Sequence, residues 1–186
     1  MRYSLIITII IVLGAIFVSG CLDHQDEQEE EIPWNLTLTD GESTILLSME
    51  DIRALKPVTG HAYAVSTVGI RYGPYRVKGV DILDLLDLIG GAGENDLLYI
   101  SAPDGYLWVF DTEQASGSGF LTFNTDLKEI PSPPLRVIIA YEQDGKPLTY
   151  NDGGPLRLII TSDTSDVITE GSSWVKWVDR IEIRRR

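Results

Sequence analysis

Short segments rich in β-branched and aromatic residues recur along most of this chain, with turn residues between them. Side chains of these types favour the extended backbone of β-strands. Asp104-Gly105 and Asp144-Gly145 each follow such a segment, and Gly accepts the positive φ that tight hairpin turns need. The predicted strands are residues 34–39, 61–68, 97–101, 106–111, 135–141, 156–161 and 174–183.

Two segments predict short helices. The sequence Ser-Met-Glu-Asp at 48–51 resembles a capping box, and Pro57 ends the helix that would follow it. Apolar residues over 82–89 recur at helical spacing until a Gly-Gly pair ends the run. Because both helices are short and one-sided, they need a larger body to pack on. The predicted architecture is α+β, with a mostly mixed or barrel-like sheet and a few short helices on its flank.

Cys21 is the only cysteine of the chain, and it follows an apolar run over residues 5–18 and two small residues. A basic start, an apolar run and small residues are the parts of a secretory signal. The tetrapeptide Val-Ser-Gly-Cys at 18–21 resembles a lipobox, the motif at which a diacylglyceryl group is attached to the cysteine sulfur. We therefore predict a signal peptide over residues 1–20, lipidation of Cys21, and a domain held on the extracytoplasmic face of the cell membrane. An uncleaved signal anchor is the alternative, although the run is shorter than the roughly 20 residues of a spanning helix.

The rest of the chain divides by composition. Residues 21–33 are acidic and poor in apolar side chains, which predicts a tether, and residues 34–186 suit one domain. With a single cysteine the domain can have no internal disulfide, so its stability must come from the 44% of residues that are hydrophobic. The net charge of -13 argues against nucleic acid and anionic lipid headgroups as partners.

Four segments stand in a fixed order along residues 34–183. They are Tyr-Arg-Val-Lys-Gly-Val-Asp-Ile-Leu-Asp-Leu-Leu at 75–86, Asp-Gly-Tyr at 104–106, Gly-Pro-Leu-Arg-Leu-Ile at 154–159 and Trp-Val-Lys-Trp-Val-Asp-Arg-Ile-Glu-Ile at 174–183. In sequence and order they resemble the sulfite oxidase-like oxidoreductase molybdopterin-binding domain family. The resemblance implies that fold, with a molybdenum or tungsten centre on a pterin dithiolene and a protein cysteine thiolate as the remaining ligand.

Two positions depart from the family pattern. Where its cysteine would fall, Ser66 and Thr67 offer hydroxyls, which are seldom metal ligands because their pKa is far above 7. Where the family commonly has His-Gly, Asp152 offers a carboxylate that can accept from pterin N–H groups. We therefore expect no catalytic residue and no metal ligand, and a pterin or molybdopterin-like ligand of unknown identity in place of the full cofactor.

The residues that we expect to contact this ligand are Arg157, Asp152, Tyr106, Lys176 and Ser66. Arg157 offers a planar fork of donors, although a strand-edge arginine paired with a carboxylate is an equally good interpretation. Lys176 and Arg180 fall on one face of the predicted last strand, by the two-residue period. Aromatic residues more often fill cores than pockets. We therefore expect only one or two of Tyr106, Trp108, Trp174 and Trp177 to lie in a pocket.

Functions from different classes remain open. The first is a lipid-anchored module that keeps the fold and binds a pterin-like or other small heterocycle, to sense or deliver it. The second is an oxidoreductase subunit that holds molybdopterin with a hydroxyl or solvent in place of the cysteine. A structural domain with a closed pocket is a third. The missing cysteine favours the first, and a membrane redox or signalling protein is the expected partner.

Overall fold

The computed structural model describes residues 33–185. Over this range the protein contains 13 strands, three short α-helices and one 3-10 helix, so that the β-rich fold is as predicted. No helix of the described range is long and apolar enough to cross a membrane. The predicted signal peptide, Cys21 and most of the tether lie outside the described residues.

A five-stranded sheet forms one part of the domain. Its strands, in spatial order, are β2 (Thr44–Ser48), β1 (Asn35–Thr39), β13 (Arg180–Arg184), β5 (Leu97–Ser101) and β6 (Leu107–Asp111). The pair β1–β13 is parallel and the other pairs are antiparallel. The hairpin predicted at Asp104-Gly105 joins β5 to β6, and Gly105 has the positive φ of 88° that the turn needs.

Four strands of the second sheet close into a ring. Strands β3 (Pro57–Val65), β4 (Arg71–Asp81), β9 (Leu135–Gln143) and β11 (Arg157–Ser162) each pair antiparallel with the next, and β11 pairs back to β3. All six residues of β11 are buried. The barrel-like arrangement predicted from sequence is confirmed, and the ring closes through the pair of Ser162 with His61.

Four short strands extend the ring. They are β7 (Thr122–Phe123), β8 (Glu129–Ile130), β10 (Lys146–Pro147) and β12 (Ile168–Glu170). The hairpin predicted at residues 144–145 joins β9 to β10. Strand β12 runs parallel to the end of β3, so the 3-10 helix that follows it, Gly171–Ser173, lies beside the loop between β3 and β4. One continuous cluster of buried apolar side chains includes residues of both sheets.

The helices are one to two turns long. They are α1 (Met49–Ala54), α2 (Ile82–Asp87) and α3 (Thr112–Ala115). The predicted capping box is present at α1, where the backbone N–H of Asp51 donates to Ser48 Oγ at 3.2 Å and that of Ser48 donates back to Asp51 at 2.8 Å. The apolar face of α2 is buried, as its spacing predicted.

The last predicted strand, over 174–183, is wrong in its first half. Regular structure begins only at Arg180, because Trp177 has a φ of 53° and so cannot continue a strand. The predicted shared face of Lys176 and Arg180 is therefore wrong as well. Lys176 is exposed in the irregular segment, whereas Arg180 forms an ion pair with Glu182 at 3.3 Å.

The strand predicted over 61–68 ends at residue 65, and β2 and β4 were not predicted. Strand β4 has no clear sequence pattern of a strand, because Gly73 and Pro74 interrupt it and Gly79 lies at a bulge. Gly79 passes so close to β9 that an added Cβ would collide with the carbonyl of Ile139. This strand forms one wall of the candidate site.

Candidate ligand-binding site

A cavity of about 380 Å³ opens between the β3–β4 hairpin, the loop over 149–153 and the segment after the 3-10 helix. Its volume lies in the range of pockets for small molecules. Four of the five predicted contact residues line it, namely Ser66, Asp152, Arg157 and Lys176. Tyr106 does not line the cavity. Its hydroxyl donates at 2.6 Å to the carbonyl of Ser172, and Ser172 is a lining residue. That these residues bind a ligand stays a prediction.

Arg157 is the buried cation of the cavity wall. Its side chain stands at the start of an interior strand, and the residue is 9% exposed. Nη1 donates to the carbonyl of Asp152 at 2.9 Å, while Nε has no hydrogen-bond partner within residues 33–185. Burial lowers the pKa of the guanidinium, which Tyr75, Asp152 and Tyr72 partly oppose. An arginine stays protonated in proteins, so this wall carries a buried positive charge.

The alternative interpretation of Arg157, a strand-edge arginine paired with a carboxylate, is wrong. At this end β11 pairs with β9 on one side, and on the other side the backbone N–H of Leu158 donates to the carbonyl of Val175. No carboxylate of the described range forms an ion pair with Arg157. A buried charge without an opposite charge is costly unless other groups compensate it. The direct contacts that compensate it are the carbonyl of Asp152 and the ring of Trp174, and the carboxylate of Asp152 adds a favourable charge from beyond ion-pair distance.

Of the four aromatic residues considered from the sequence, Trp174 is the one that lines the cavity. It is buried, and the guanidinium carbon of Arg157 lies 5.2 Å from its ring centroid. Its indole N–H has no partner in the described part of the chain. Neither Trp108 nor Trp177 lines the cavity, which agrees with the expectation that few of the aromatic residues would.

Lys176 reaches the cavity over a glycine. Its aliphatic chain packs on Gly153, where an added Cβ would collide with it, and its Nζ lies 5.6 Å from the ring centroid of Trp177. Trp177 in turn stacks on Tyr150 at 5.1 Å and donates its indole N–H to the carbonyl of that residue at 2.9 Å. These contacts fix the loop over 149–153 against the segment that carries Lys176.

Asp152 is exposed at the cavity, and its position is fixed by the same loop. Its carboxylate accepts from the hydroxyl of Thr149 at 2.6 Å, and its backbone N–H donates to the Thr149 carbonyl at 3.1 Å. A carboxylate has room for further donors besides this hydroxyl. Asp152 can therefore accept from N–H groups of a ligand while its carbonyl holds Arg157.

The β3–β4 hairpin forms the opposite wall. Ser66 Oγ accepts from the backbone N–H of Ile70 at 3.0 Å, so this oxygen already serves the loop. Tyr72 and Tyr75 of β4 also line the cavity, and sequence reasoning missed both. No local pattern indicates them, because their place opposite Ala64 and Ala62 depends on the pairing of β4 with β3.

The residues present do not fit a cysteine-ligated metal. No cysteine occurs within residues 33–185, and the same range holds no group of His, Cys, Asp or Glu that could bind a metal ion. At the place where a cysteine was expected, the hydroxyl of Ser66 is held by the loop and Thr67 is exposed. The expectation that the site has no metal ligand nevertheless stays a prediction.

A β-barrel domain with a buried arginine in a small-molecule cavity is the class that the fold and site define. The oxidoreductase molybdopterin binding domain family matches residues 24–186, and the chain belongs to this family. The sulfane dehydrogenase SoxCD from Paracoccus pantotrophus has a similar structure, with a TM-score of 0.63 and 20% identity. The similarity covers 82% of this chain and 38% of the SoxCD chain, and at that identity it shows the fold alone. The comparison with curated proteins gives no match.

Proposed function

We propose that this protein is a membrane-anchored, extracytoplasmic module that binds a pterin-like small molecule without a cysteine-ligated metal. The observation that carries the proposal is the guanidinium of Arg157, which is buried in the wall of a cavity of small-molecule size and forms no ion pair in the described range. Acceptor oxygens of a ligand would relieve the cost of this charge, because hydrogen bonds to charged groups contribute about 1.5–3 kcal/mol.

The other polar groups of the cavity suit a flat heterocycle with both donors and acceptors. The carboxylate of Asp152 can accept from ring N–H groups, and Arg157 and Lys176 can donate to ring carbonyl or phosphate oxygens. Tyr72 and Tyr75 offer aromatic surface and hydroxyls on the opposite wall. Membership of a molybdopterin-binding family supports a pterin over other heterocycles.

The anchor is proposed from the sequence. The lipobox-like tetrapeptide ending at Cys21 would place a diacylglyceryl group at the start of the mature chain, and residues 21–33 would tether the domain to it. A membrane redox or signalling protein is the partner that we expect to receive the ligand or the signal.

A second candidate function is a molybdopterin-dependent oxidoreductase subunit with a non-cysteine metal environment. The family match supports it, as does the position of Ser66 and Thr67 in the cavity wall. The weak basicity of a hydroxyl at neutral pH counts against it.

The test is to measure the metal and the pterin bound to the protein after its purification from the membranes of its native host. We expect molybdenum and tungsten together below about a tenth of an equivalent, since hydroxyls are poor ligands for them, and a fluorescent pterin released on denaturation. Stoichiometric metal would favour the oxidoreductase instead. If the protein contains neither metal nor pterin, the remaining interpretation is a structural domain. Arg157→Met protein, purified in parallel, should have lost the pterin.

A further inference from the structure

The loop between β3 and β4 is a turn closed by its own hydrogen bonds. We call residues 66–72 the hairpin tip. The backbone N–H of Ser66 donates to the carbonyl of Ile70 at 2.8 Å, and the N–H of Gly69 donates to the carbonyl of Ser66 at 2.9 Å. Gly69 has a φ of 83°, which suits the turn. Residues 67–72 are exposed at this turn.

Three apolar side chains of the hairpin tip are exposed to solvent. Val68 is 78% exposed, Ile70 54% and Tyr72 40%, all within five residues of chain. Such a cluster of exposed apolar side chains marks an interaction surface more often than single exposed residues do. The hairpin tip needs a partner that covers apolar groups.

The charge of this hairpin is opposite to that of the whole chain. No Asp or Glu occurs from Ile52 to Val80, although the chain has a net charge of -13. Arg71 is exposed at the tip, and none of the ion pairs within residues 33–185 includes it. The acidic residue on the neighbouring strand is Glu170, which pairs with Val65 at the base of the tip. The hairpin tip is therefore apolar and basic, which suits an anionic partner with an apolar interior.

We propose that the hairpin tip docks on an anionic lipid bilayer, with Val68 and Ile70 among the acyl chains and Arg71 at the phosphates. This inference rests on the proposed anchor. Residues 21–33 can span at most about 45 Å when fully extended, so lipidation at Cys21 would keep the domain next to the membrane. Aliphatic residues beside a basic one are typical of surfaces that lie in the lipid interface.

The negative net charge of the chain predicts repulsion from anionic lipid. The strength of this repulsion depends on how far each charged residue lies from the lipid surface. The Debye length is about 8 Å at physiological ionic strength, so acidic residues farther than this from the lipid are largely screened. Contact at the hairpin tip would bring the exposed side chain of Arg71 to the headgroups. Because Ser66, Thr67 and Tyr72 also line the cavity, docking would hold one wall of the ligand site at the membrane surface.

The experiment measures how deeply the tip enters the bilayer, with the full lipidated chain. Ile70→Cys carries an environment-sensitive fluorophore in vesicles of phosphatidylcholine and phosphatidylglycerol that contain nitroxide-labelled acyl chains. The matched control is Leu46→Cys, at a residue that is 62% exposed on β2, outside the tip. We expect quenching at residue 70 to exceed that at residue 46 roughly twofold or more, since only the tip would reach the acyl chains. Equal quenching at the two sites would overturn the proposal.

Charge reversal tests the role of Arg71. Arg71→Glu in the Ile70→Cys protein should reduce quenching in vesicles with phosphatidylglycerol, whereas Lys128→Glu, an exposed residue outside the tip, should not. Identical quenching in both variants would show that the arginine does not meet lipid phosphate. The same labelled protein can also be measured in native membranes with a water-soluble quencher. If the label at residue 70 is not quenched by nitroxide lipids in vesicles but is protected from the water-soluble quencher in native membranes, then the hairpin tip binds a membrane protein and not the bilayer.

Flotation of the vesicles separates failure of the tip from failure of the anchor. Protein that floats with the vesicles but shows no preferential quenching at residue 70 keeps its anchor and overturns only the docking of the tip. Unsubstituted protein that takes up the fluorophore at Cys21 would have a free thiol, which contradicts lipidation and thus the proposed function.

Discussion

The guanidinium of Arg157 lies over the indole ring of Trp174, with 5.2 Å between its Cζ atom and the ring centroid. A cation–π contact contributes about 0.5–2 kcal/mol, whereas the burial of an ion costs several kcal/mol. The ring and the carbonyl of Asp152 therefore compensate only part of the burial of this charge. An arginine with that balance is better suited to bind a ligand than to stabilise the fold.

Arg157→Met should accordingly change stability and ligand affinity in different ways. Methionine keeps most of the buried volume and removes the charge, so we expect the free energy of unfolding without ligand to stay within about 1 kcal/mol of the original or to rise. Affinity for a pterin should fall by about 1–3 kcal/mol, because the charge-assisted hydrogen bonds are lost. Urea unfolding and calorimetric titration measure the two quantities.

The control for this variant is Arg136→Met, the same change at an exposed arginine of β9. It should leave pterin affinity unchanged. A loss of several kcal/mol in the unfolding free energy of Arg157→Met, with affinity retained, would show that Arg157 serves the fold and not the ligand.

Gly153→Ala should destabilise the cavity wall for two separable reasons. Gly153 has a φ of 87°, and an added Cβ would collide with the side chain of Lys176. We expect a loss of more than about 1 kcal/mol in the free energy of unfolding, the usual cost of a strained backbone position. Gly105→Ala has the same backbone strain in open space and should cost less. Lys176→Gly removes every side-chain atom of the collision, so if it does not recover part of the loss in the double variant, then the collision is not its cause.

Local signals in the sequence predicted the parts of the fold that depend on neighbouring residues. The capping box at Ser48 forms as predicted, and β5 covers the predicted residues 97–101. The Asp-Gly turns also form, because the conformational freedom of Gly105 and Gly145 is a property of the residue itself. These features need no knowledge of distant contacts.

The parts that the sequence could not predict depend on contacts between distant segments. Trp177 takes a positive φ, which is rare for a bulky residue, in a segment that is bonded to Gly153 and stacked on Tyr150. Strand β4 is stabilised by β3 and β9 in spite of its glycines and proline. The cavity was therefore predicted only through single residues such as Arg157, and its tyrosines were missed.

Asp81→Asn should stabilise the protein more at neutral than at acidic pH. Burial raises the pKa of the Asp81 carboxyl, more than its hydrogen bond from the N–H of Leu83 lowers it. Because the pKa in the folded state lies above that of the unfolded chain, ionisation costs the folded state stability as the pH rises through the folded value. Asparagine keeps the cap of α2 without the charge. Unfolding in urea at about pH 3.5 and about pH 7 should show the variant gaining on the original protein only at the higher pH. A gain of equal size at both values would exclude ionisation as the cause.

Cys21→Ser should release the protein from the membrane fraction. Without the sulfur no diacylglyceryl group can be attached, and each buried methylene of such an anchor contributes about 0.8 kcal/mol to membrane binding. The measurement is the share of protein that sediments with membranes before and after a wash in high salt. Continued association that resists the wash would mean that the apolar run over 5–18 is itself the anchor. A weak association that is lost in the salt wash would fit docking by the hairpin tip alone. Salt screens the contact between Arg71 and lipid phosphate, whereas it does not weaken an apolar anchor.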